Sequence, residues 1–247
     1  MTAALVGDSG IQTASSVTSD AVAYSPNPTS GNLLAVAIAG WNTPNFAMST
    51  VTDTQSNAYT EAIALDFTDF QDHISVWYSE NITGGANTVT LTPTGSGNYM
   101  AWVAMEFSGL LTASALDITA TNTGFETATD ANVTSGTTNQ ANELVLAVAA
   151  AAISGSSDVE WGASAATGYT NVAQYENYSA IQTISVEYKV VSSVGAQSAA
   201  WEHVAASSSG DGWGAAIVTF KEAVAADVFI PHQQQTSVGR RVQMVGY

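Results

Sequence analysis

Apolar residues recur at every second position in several short stretches of the chain. LAVAIA at 34–39 alternates large aliphatic residues with alanine, and ISVWY at 74–78 and VAMEF at 103–107 repeat the alternation. A period of two is that of a β-strand with two different faces. Clusters of Gly, Asn, Ser and Pro, such as SPNPTSGN, separate these stretches and are typical of turns. No stretch has a convincing helical period, so we predict an all-β protein.

The chain also contains an internal repeat. NLLAVAIA at 32–39 resembles NELVLAVA at 142–149, and ISVWY at 74–78 resembles ISVEY at 184–188, each pair lying 110 positions apart. Matches at one shared offset indicate a duplicated unit. A third pair, AWVAMEF and GAAIVTF, has an offset of 113, which indicates three residues inserted in the second copy.

The repeat defines the domain organisation. We predict two tandem, related modules at residues 1–112 and 113–225, followed by a C-terminal extended arm at 226–247. Modules of this size with many short strands favour β-sandwiches, and both a jelly-roll-like and an immunoglobulin-like strand order fit the pattern.

Positions that are apolar in both copies are the predicted core. These pairs are Leu34 with Leu144, Val36 with Leu146, Ile38 with Val148, Ile74 with Ile184, Val76 with Val186, Tyr78 with Tyr188, Met105 with Val218, and Phe107 with Phe220.

Three tryptophans of the first copy have no aromatic counterpart in the second. By alternation, Trp41, Trp77 and Trp102 fall on the strand face opposite to the predicted core. We expect them to pack between the modules or under a loop. A contact surface for another subunit and a stacking platform for a sugar ring are the functional alternatives, because tryptophan offers a large, rigid, apolar face.

The net charge of the chain limits the classes of molecule that it can bind. The chain has 4 Lys and Arg residues against 21 Asp and Glu residues, and its net charge is −17. Binding to a phosphate backbone depends on cationic side chains, so we expect no nucleic-acid partner. No stretch is long and apolar enough to span a bilayer, and no signal-peptide pattern is visible, so we expect no membrane partner and synthesis in a cytoplasm. Protein and glycan partners remain.

Candidate catalytic and metal-binding groups are few. Cysteine is absent, and the histidines are His73, His203 and His232. A Ser-His-Asp arrangement has no supporting motif. The carboxylates Asp66, Asp69 and Asp72 are spaced so that they could ligate calcium from a loop, although a solvated acidic loop explains them more simply. We therefore expect no enzymatic activity and no cofactor.

The order of strand and turn motifs resembles that of a known group. GNLLAVAI, VTDTQSNAYT, VWYSENITGGANTVTLT, MEFSGL and LDITATNTG, followed by the second NELVLAVA, resemble tandem β-sandwich outer virion proteins of tailed bacteriophages. The similarity covers about residues 25–221. It implies a virion location and a structural role in head decoration or cementing, or as a module of a tail or fibre. A glycan-binding or adhesin module is the alternative function.

The C-terminal arm at 226–247 has no counterpart in the first copy, and it is more apolar than a linker without a binding partner would be. We expect it to bind a neighbouring virion subunit or another copy of the chain, with the paired arginines as anchors for carboxylates. A strand that folds back on the second module is the other interpretation. The predicted contact residues are Phe229, Ile230, Arg240, Arg241, Val242, Met244 and Tyr247.

Overall fold

Antiparallel strands account for the regular structure of the protein. The structure is a computed structural model, and it describes residues 2–43, 45–67, 71–125, 131–151, 160–161, 166–177, 182–201, 203–204 and 212–223. These residues form eighteen strands and no helix. The predicted all-β architecture of β-sandwich modules is confirmed.

The first module contains nine strands in two sheets. The larger sheet has the order β1-β9-β4-β7-β6, with β2 also paired to β9, and the smaller sheet has the order β3-β8-β5. The strands are β1 (Ala4–Asp8), β2 (Gln12–Val17), β3 (Asp20–Tyr24), β4 (Leu33–Trp41), β5 (Met48–Asp53), β6 (Thr60–Phe67), β7 (Asp72–Ser79), β8 (Asn87–Pro93) and β9 (Asn98–Ser108).

The second module repeats this arrangement. Its larger sheet has the order β10-β18-β12-β15-β14, and two-stranded sheets β11-β16 and β13-β17 take the place of the smaller sheet. The strands are β10 (Leu116–Phe125), β11 (Ala131–Thr137), β12 (Asn142–Ala151), β13 (Glu160–Trp161), β14 (Thr170–Asn177), β15 (Gln182–Ser192), β16 (Ala196–Trp201), β17 (His203–Val204) and β18 (Gly212–Lys221).

Strand order distinguishes the two sandwich types that the sequence left open. In the first module β1 pairs with β9, β3 pairs with β8 in the other sheet, and β4 lies between β9 and β7. Pairing early strands with late ones in both sheets is the interleaved Greek-key order of a jelly roll. The second module pairs β10 with β18 and β11 with β16 in the same way.

The two larger sheets pack against each other, so the described residues form four layers and three cores. The central core lies between the modules, and one outer core lies inside each sandwich. The central core draws from the first module on Leu33, Ala35, Ala37, Ile74, Val76, Val103, Met105 and Phe107, and from the second on Leu144, Leu146, Val148, Ile184, Val186, Ala216, Val218 and Phe220. Each larger sheet is therefore buried on both faces.

The modules pack with approximate two-fold symmetry. The ring of Tyr78 meets that of Phe220 at a centroid distance of 5.3 Å, and the ring of Tyr188 meets that of Phe107 at 5.6 Å. Strand β4 packs on β15, and reciprocally β12 packs on β7. An interface in which equivalent residues exchange roles is isologous, as in a symmetric dimer. The repeat thus forms a dimer-like pair within one chain.

Strand pairing corrects the repeat alignment by one residue in β4. Leu33 lies opposite Phe107, whereas Leu144 lies opposite the equivalent Phe220. The structural counterpart of Leu144 is therefore Leu33 and not Leu34. Because a shift of one residue moves a side chain to the other face of a sheet, Leu34 faces the outer core and Leu144 faces the central core.

The predicted core residues are buried in spite of this shift. All except the two tyrosines are buried, and Tyr78 and Tyr188 are half-buried against the central core. Because both faces of the larger sheets are covered, a one-residue error in register changes which core a residue joins and leaves it buried.

Candidate functional site

A polar cleft of about 420 Å³ opens at one end of the larger sheet of the first module. It lies where β6 begins and β7 ends, between the loop that precedes β6 and the loop that follows β7. We call it the Tyr78 cleft. Its lining residues are Ser56, Asn57, Ala58, Thr60, Tyr78, Ser79, Glu80, Asn81 and Thr83.

One wall of the cleft is organised by the carboxylate of Asp53. This group accepts hydrogen bonds from the backbone N–H groups of Gln55 at 3.1 Å and Asn57 at 3.0 Å. It also accepts from the side-chain amide of Asn57 at 2.7 Å, the hydroxyl of Tyr59 at 3.1 Å and the amide of Asn87 at 2.8 Å. An aspartate that bonds the backbone two residues ahead stabilises a turn, so the loop shape is fixed locally.

Further hydrogen bonds join this loop to the loop after β7. The side-chain oxygen of Asn57 accepts from the backbone N–H of Thr83 at 2.7 Å, and the amide of Gln55 donates to the carbonyl of Ala86 at 2.6 Å. The two loops therefore hold each other in place, and the cleft between them is preformed.

Glu80 connects the cleft to the segment between the modules. Its two carboxylate oxygens accept from the backbone N–H groups of Ser114 and Ala115, each at 2.8 Å. Hydrogen bonds to an ionised acceptor are stronger than those between neutral groups. The charged group of the cleft is thus already engaged by backbone donors.

The remaining lining side chains are neutral groups that can hydrogen-bond. Within the described part of the chain, the hydroxyls of Ser56, Thr60, Tyr78 and Thr83 and the amide of Asn81 make no side-chain hydrogen bond. Burial, and secondarily the Glu80 carboxylate, raises the pKa of Tyr78. The phenol is therefore protonated at neutral pH and can donate.

The corresponding position in the second module has a different lining. At the offset of 110 that relates Tyr78 to Tyr188, Lys189 replaces Ser79, Val190 replaces Glu80 and Val191 replaces Asn81. Val190 is exposed. The second module therefore lacks the counterparts of Glu80 and Asn81.

The sequence interpretation missed this cleft. The DTQSNAYT motif predicts only strand and turn, and the apolar pattern predicts that Tyr78 belongs to the core. The sequence does carry a turn signal there, because Ser and Asn residues stand beside both strand ends. In the structure Ser56 and Asn81 adopt positive φ values of 59° and 53°. Polar residues clustered on both sides of two strand ends are typical of such tight loops.

Trp102 lies neither between the modules nor on a contact surface, which corrects the expectation for this residue. It is completely buried in the outer core of the first module, and its indole N–H donates to Asp20 at 2.7 Å. The alternation along β9 correctly predicts that Trp102 lies on the face opposite to Val103 and Met105. Those two residues, however, point to the second module. Trp102, on the opposite face of β9, therefore points into the first sandwich.

Trp41 and Trp77 are both half-buried and do not form a shared platform with Trp102. The ring of Trp41 packs edge-on against Tyr99 at a centroid distance of 5.3 Å. Trp77 packs against the outer core of the first module, and its indole nitrogen is buried without a hydrogen-bond partner.

His73 forms an acid–base pair that lacks a nucleophile. Its Nδ1 lies 2.6 Å from Oδ1 of Asp66. Its Nε2 and the hydroxyl of Ser75 are both buried without a hydrogen-bond partner, so the two groups are not bonded to each other. A triad needs the bond from serine to histidine, and these three residues do not provide it. The side chain of His203 and the whole of His232 lie outside the described residues.

The geometry does not support calcium binding by the acidic loop. Asp66 pairs with His73 on one face of the sheet. Asp72 alternates with His73 along β7 and so lies on the other face. Asp69 lies outside the described residues. Within the part of the chain that the structure describes, no group of three or more His, Asp or Glu side chains could hold a metal ion.

Two buried glutamates of the second module have raised pKa values. Burial raises the pKa of Glu143 to about 7, and the neighbouring Asp117 carboxylate adds to the effect. Burial likewise raises the pKa of Glu187 to about 7, against the hydrogen bond from the Ala166 backbone and the charge of Lys189. Neither group lines the Tyr78 cleft.

The predicted contact residues of the arm, Phe229, Ile230, Arg240, Arg241, Val242, Met244 and Tyr247, lie outside the described residues. The described ranges contain no helix that is long and apolar enough to cross a membrane.

Comparison with protein-family models, with curated proteins and with solved structures gives no match for this chain.

Proposed function

We propose that the protein is a non-enzymatic structural component of a tailed-phage virion, most simply a capsid decoration or cement protein. The observation that carries the proposal is the shared central core. Two jelly rolls joined through their larger sheets make one rigid block, because both faces of each larger sheet are packed. A rigid block with a surface low in charge suits a part that is fitted between other proteins.

Two further observations support this proposal. The order of strand motifs resembles that of outer virion proteins, and the acidity of the chain would keep it away from packaged DNA. The described chain ends at Ala223, whose backbone N–H donates to the carbonyl of Gly109 at 2.9 Å. The last described residue before the arm thus lies at the junction between the modules.

The arm supplies the attachment in this proposal. Arg240 and Arg241 are two of the four cationic residues of the chain, and they stand among apolar residues. Such a segment would bind an acidic, partly apolar surface on a capsid subunit or on a second copy of the protein. No nucleic acid, membrane or cofactor takes part.

Deletion of residues 227–247 tests the proposal. We expect the truncated protein to keep the denaturation midpoint of the full chain but to lose cosedimentation with capsids that lack the protein. The double variant R240A/R241A should weaken binding, and the control Q233A/Q234A, which changes the same arm but keeps its charge, should bind normally. Full binding by the truncated protein would contradict the attachment role.

The alternative function is glycan binding through Trp41, Trp77 or Trp102. Trp102 is buried in a core and is excluded from this role, whereas Trp41 and Trp77 are half-buried and stay candidates.

A further inference from the structure

We propose that the Tyr78 cleft is a binding site for a neutral saccharide. The cleft is preformed, it is lined by neutral hydrogen-bonding groups with one aromatic ring, and its only charged side chain is already engaged. The inference does not rest on a virion location, because the same cleft would bind the same ligand in any setting.

Rigidity is the first reason. The Asp53 carboxylate accepts four hydrogen bonds from its own loop and one from Asn87 at the start of β8. The bond from the Thr83 backbone N–H to Asn57 also joins this loop to the opposite one. A site whose walls are held by internal bonds loses little conformational entropy when a ligand binds.

The chemistry of the lining is the second reason. The hydroxyls of Ser56, Thr60, Tyr78 and Thr83 can donate and accept, and the Asn81 amide can do both through separate atoms. None of these side chains has a hydrogen-bond partner in the described part of the chain. A sugar ring presents hydroxyls that both donate and accept, and the half-buried Tyr78 ring offers an aromatic surface beside them.

Charge excludes the anionic ligands. Glu80 stands in the lining, its oxygens already accept from two backbone N–H groups, and no cationic side chain lines the cleft. A phosphate, sulfate or sialic acid carboxylate would be repelled by this group and would find no counter-charge. A neutral polyol meets no such penalty.

Size is the fourth reason. A volume of about 420 Å³ lies within the roughly 300–1,000 Å³ that small-molecule sites occupy. Most such sites are lined predominantly by apolar side chains. The Tyr78 cleft is lined mainly by polar ones, which favours a hydroxyl-rich ligand over an apolar one.

Saturation-transfer NMR on the full chain tests the proposal. The probes are glucose, galactose, mannose, N-acetylglucosamine, lactose and cellobiose, with sialic acid as the anionic comparison. We expect saturable binding of at least one neutral sugar and none of sialic acid. Tyr78→Phe removes only the hydroxyl and keeps the contact with Phe220, so the affinity should fall about two- to tenfold, the range for one hydrogen bond.

A second variant and a matched control make the test specific. Asn81→Gly removes the amide while glycine accepts the positive φ, and it should also weaken binding. Tyr188→Phe makes the same change in the second module and should leave the affinity unchanged. The proposal is overturned if no neutral sugar binds up to about 50 mM, well above the range of weak binding. Equal affinity in the wild type, Y78F and N81G, or preference for sialic acid, would also overturn it.

Discussion

The central core and the outer cores use opposite faces of the same strands, yet they differ in content. The central core contains the reciprocal tyrosine–phenylalanine contacts and rows of Leu, Ile and Val. By alternation, the buried glutamates Glu106, Glu143 and Glu187 stand on the outer faces, whereas the buried Glu222 accepts a hydrogen bond from the backbone N–H of Ala3 beside the central core. The interior of the central core is therefore apolar, whereas the outer faces carry three buried carboxyl groups.

The largest expected effect comes from the central core. Phe220→Ala removes a buried ring and its contact with Tyr78, and we expect a loss of about 3–5 kcal/mol in the free energy of unfolding. Hydrogen exchange should show faster exchange in strands of both modules, because the core belongs to both. Leu91→Ala, in the outer core of the first module, is the matched control and should act mainly on that module. If F220A lost protection from exchange only in the second module, the claim that the central core stabilises both modules would be wrong.

A smaller effect is expected from overpacking the same joint. A Cβ atom on Gly214 would lie 2.6 Å from the ring of Phe67, which belongs to the other module. Gly214→Ala should therefore lower the free energy of unfolding by about 1–3 kcal/mol.

Gly136→Ala is the control for this change, because a Cβ there meets nothing within 4 Å. It should change stability by less than about 0.5 kcal/mol. The measurement is chemical denaturation of both variants beside the wild type. Equal stability of G214A and G136A would show that the modules separate at little cost.

The third expected effect concerns the outer layers and appears as a pH dependence. The pKa of Glu143 is raised from its ordinary 4.5 to about 7 in the folded chain, so the fold favours the protonated form. Its contribution to stability is complete below pH 4.5 and is lost as the pH rises to about 7. Glu143→Gln keeps the shape without the titration.

We therefore expect the denaturation midpoint of E143Q, relative to the wild type, to rise between pH 5 and pH 8. F220A should not shift the pH dependence, because its side chain does not titrate. A constant difference between E143Q and the wild type at both pH values would mean that Glu143 is ionised in the folded protein.

The sequence predicts the fold well and the site poorly. Alternation and the repeat suffice for the strands and the two related modules, because period and turn chemistry are local properties. The cleft depends on which loops meet in space. Asn57 and Thr83 are far apart in sequence, and only the pairing of β6 with β7 brings their loops together. The alternation along β7 indicates that Tyr78 belongs to a core, but it does not show that Tyr78 lies at the edge of that core and lines a cleft.

Trp102 marks the same limit. From alternation alone it faces away from Val103 and Met105, and that statement is correct. What lies on each side of the sheet is decided by packing, and in this molecule the second module covers one side and the smaller sheet covers the other. A rule that assigns one face of a sheet to the core and the other to the surface fails when both faces of the sheet are buried.

By itself, then, the sequence determines an all-β chain, its duplication and the set of residues that avoid water, since these follow from hydrophobicity and local backbone geometry. The tertiary structure decides the face-to-face joining of the modules, the register of β4 and the existence of the cleft. Each of these depends on contacts between distant parts of the chain, and a one-residue shift in register reverses the face of every side chain in a strand.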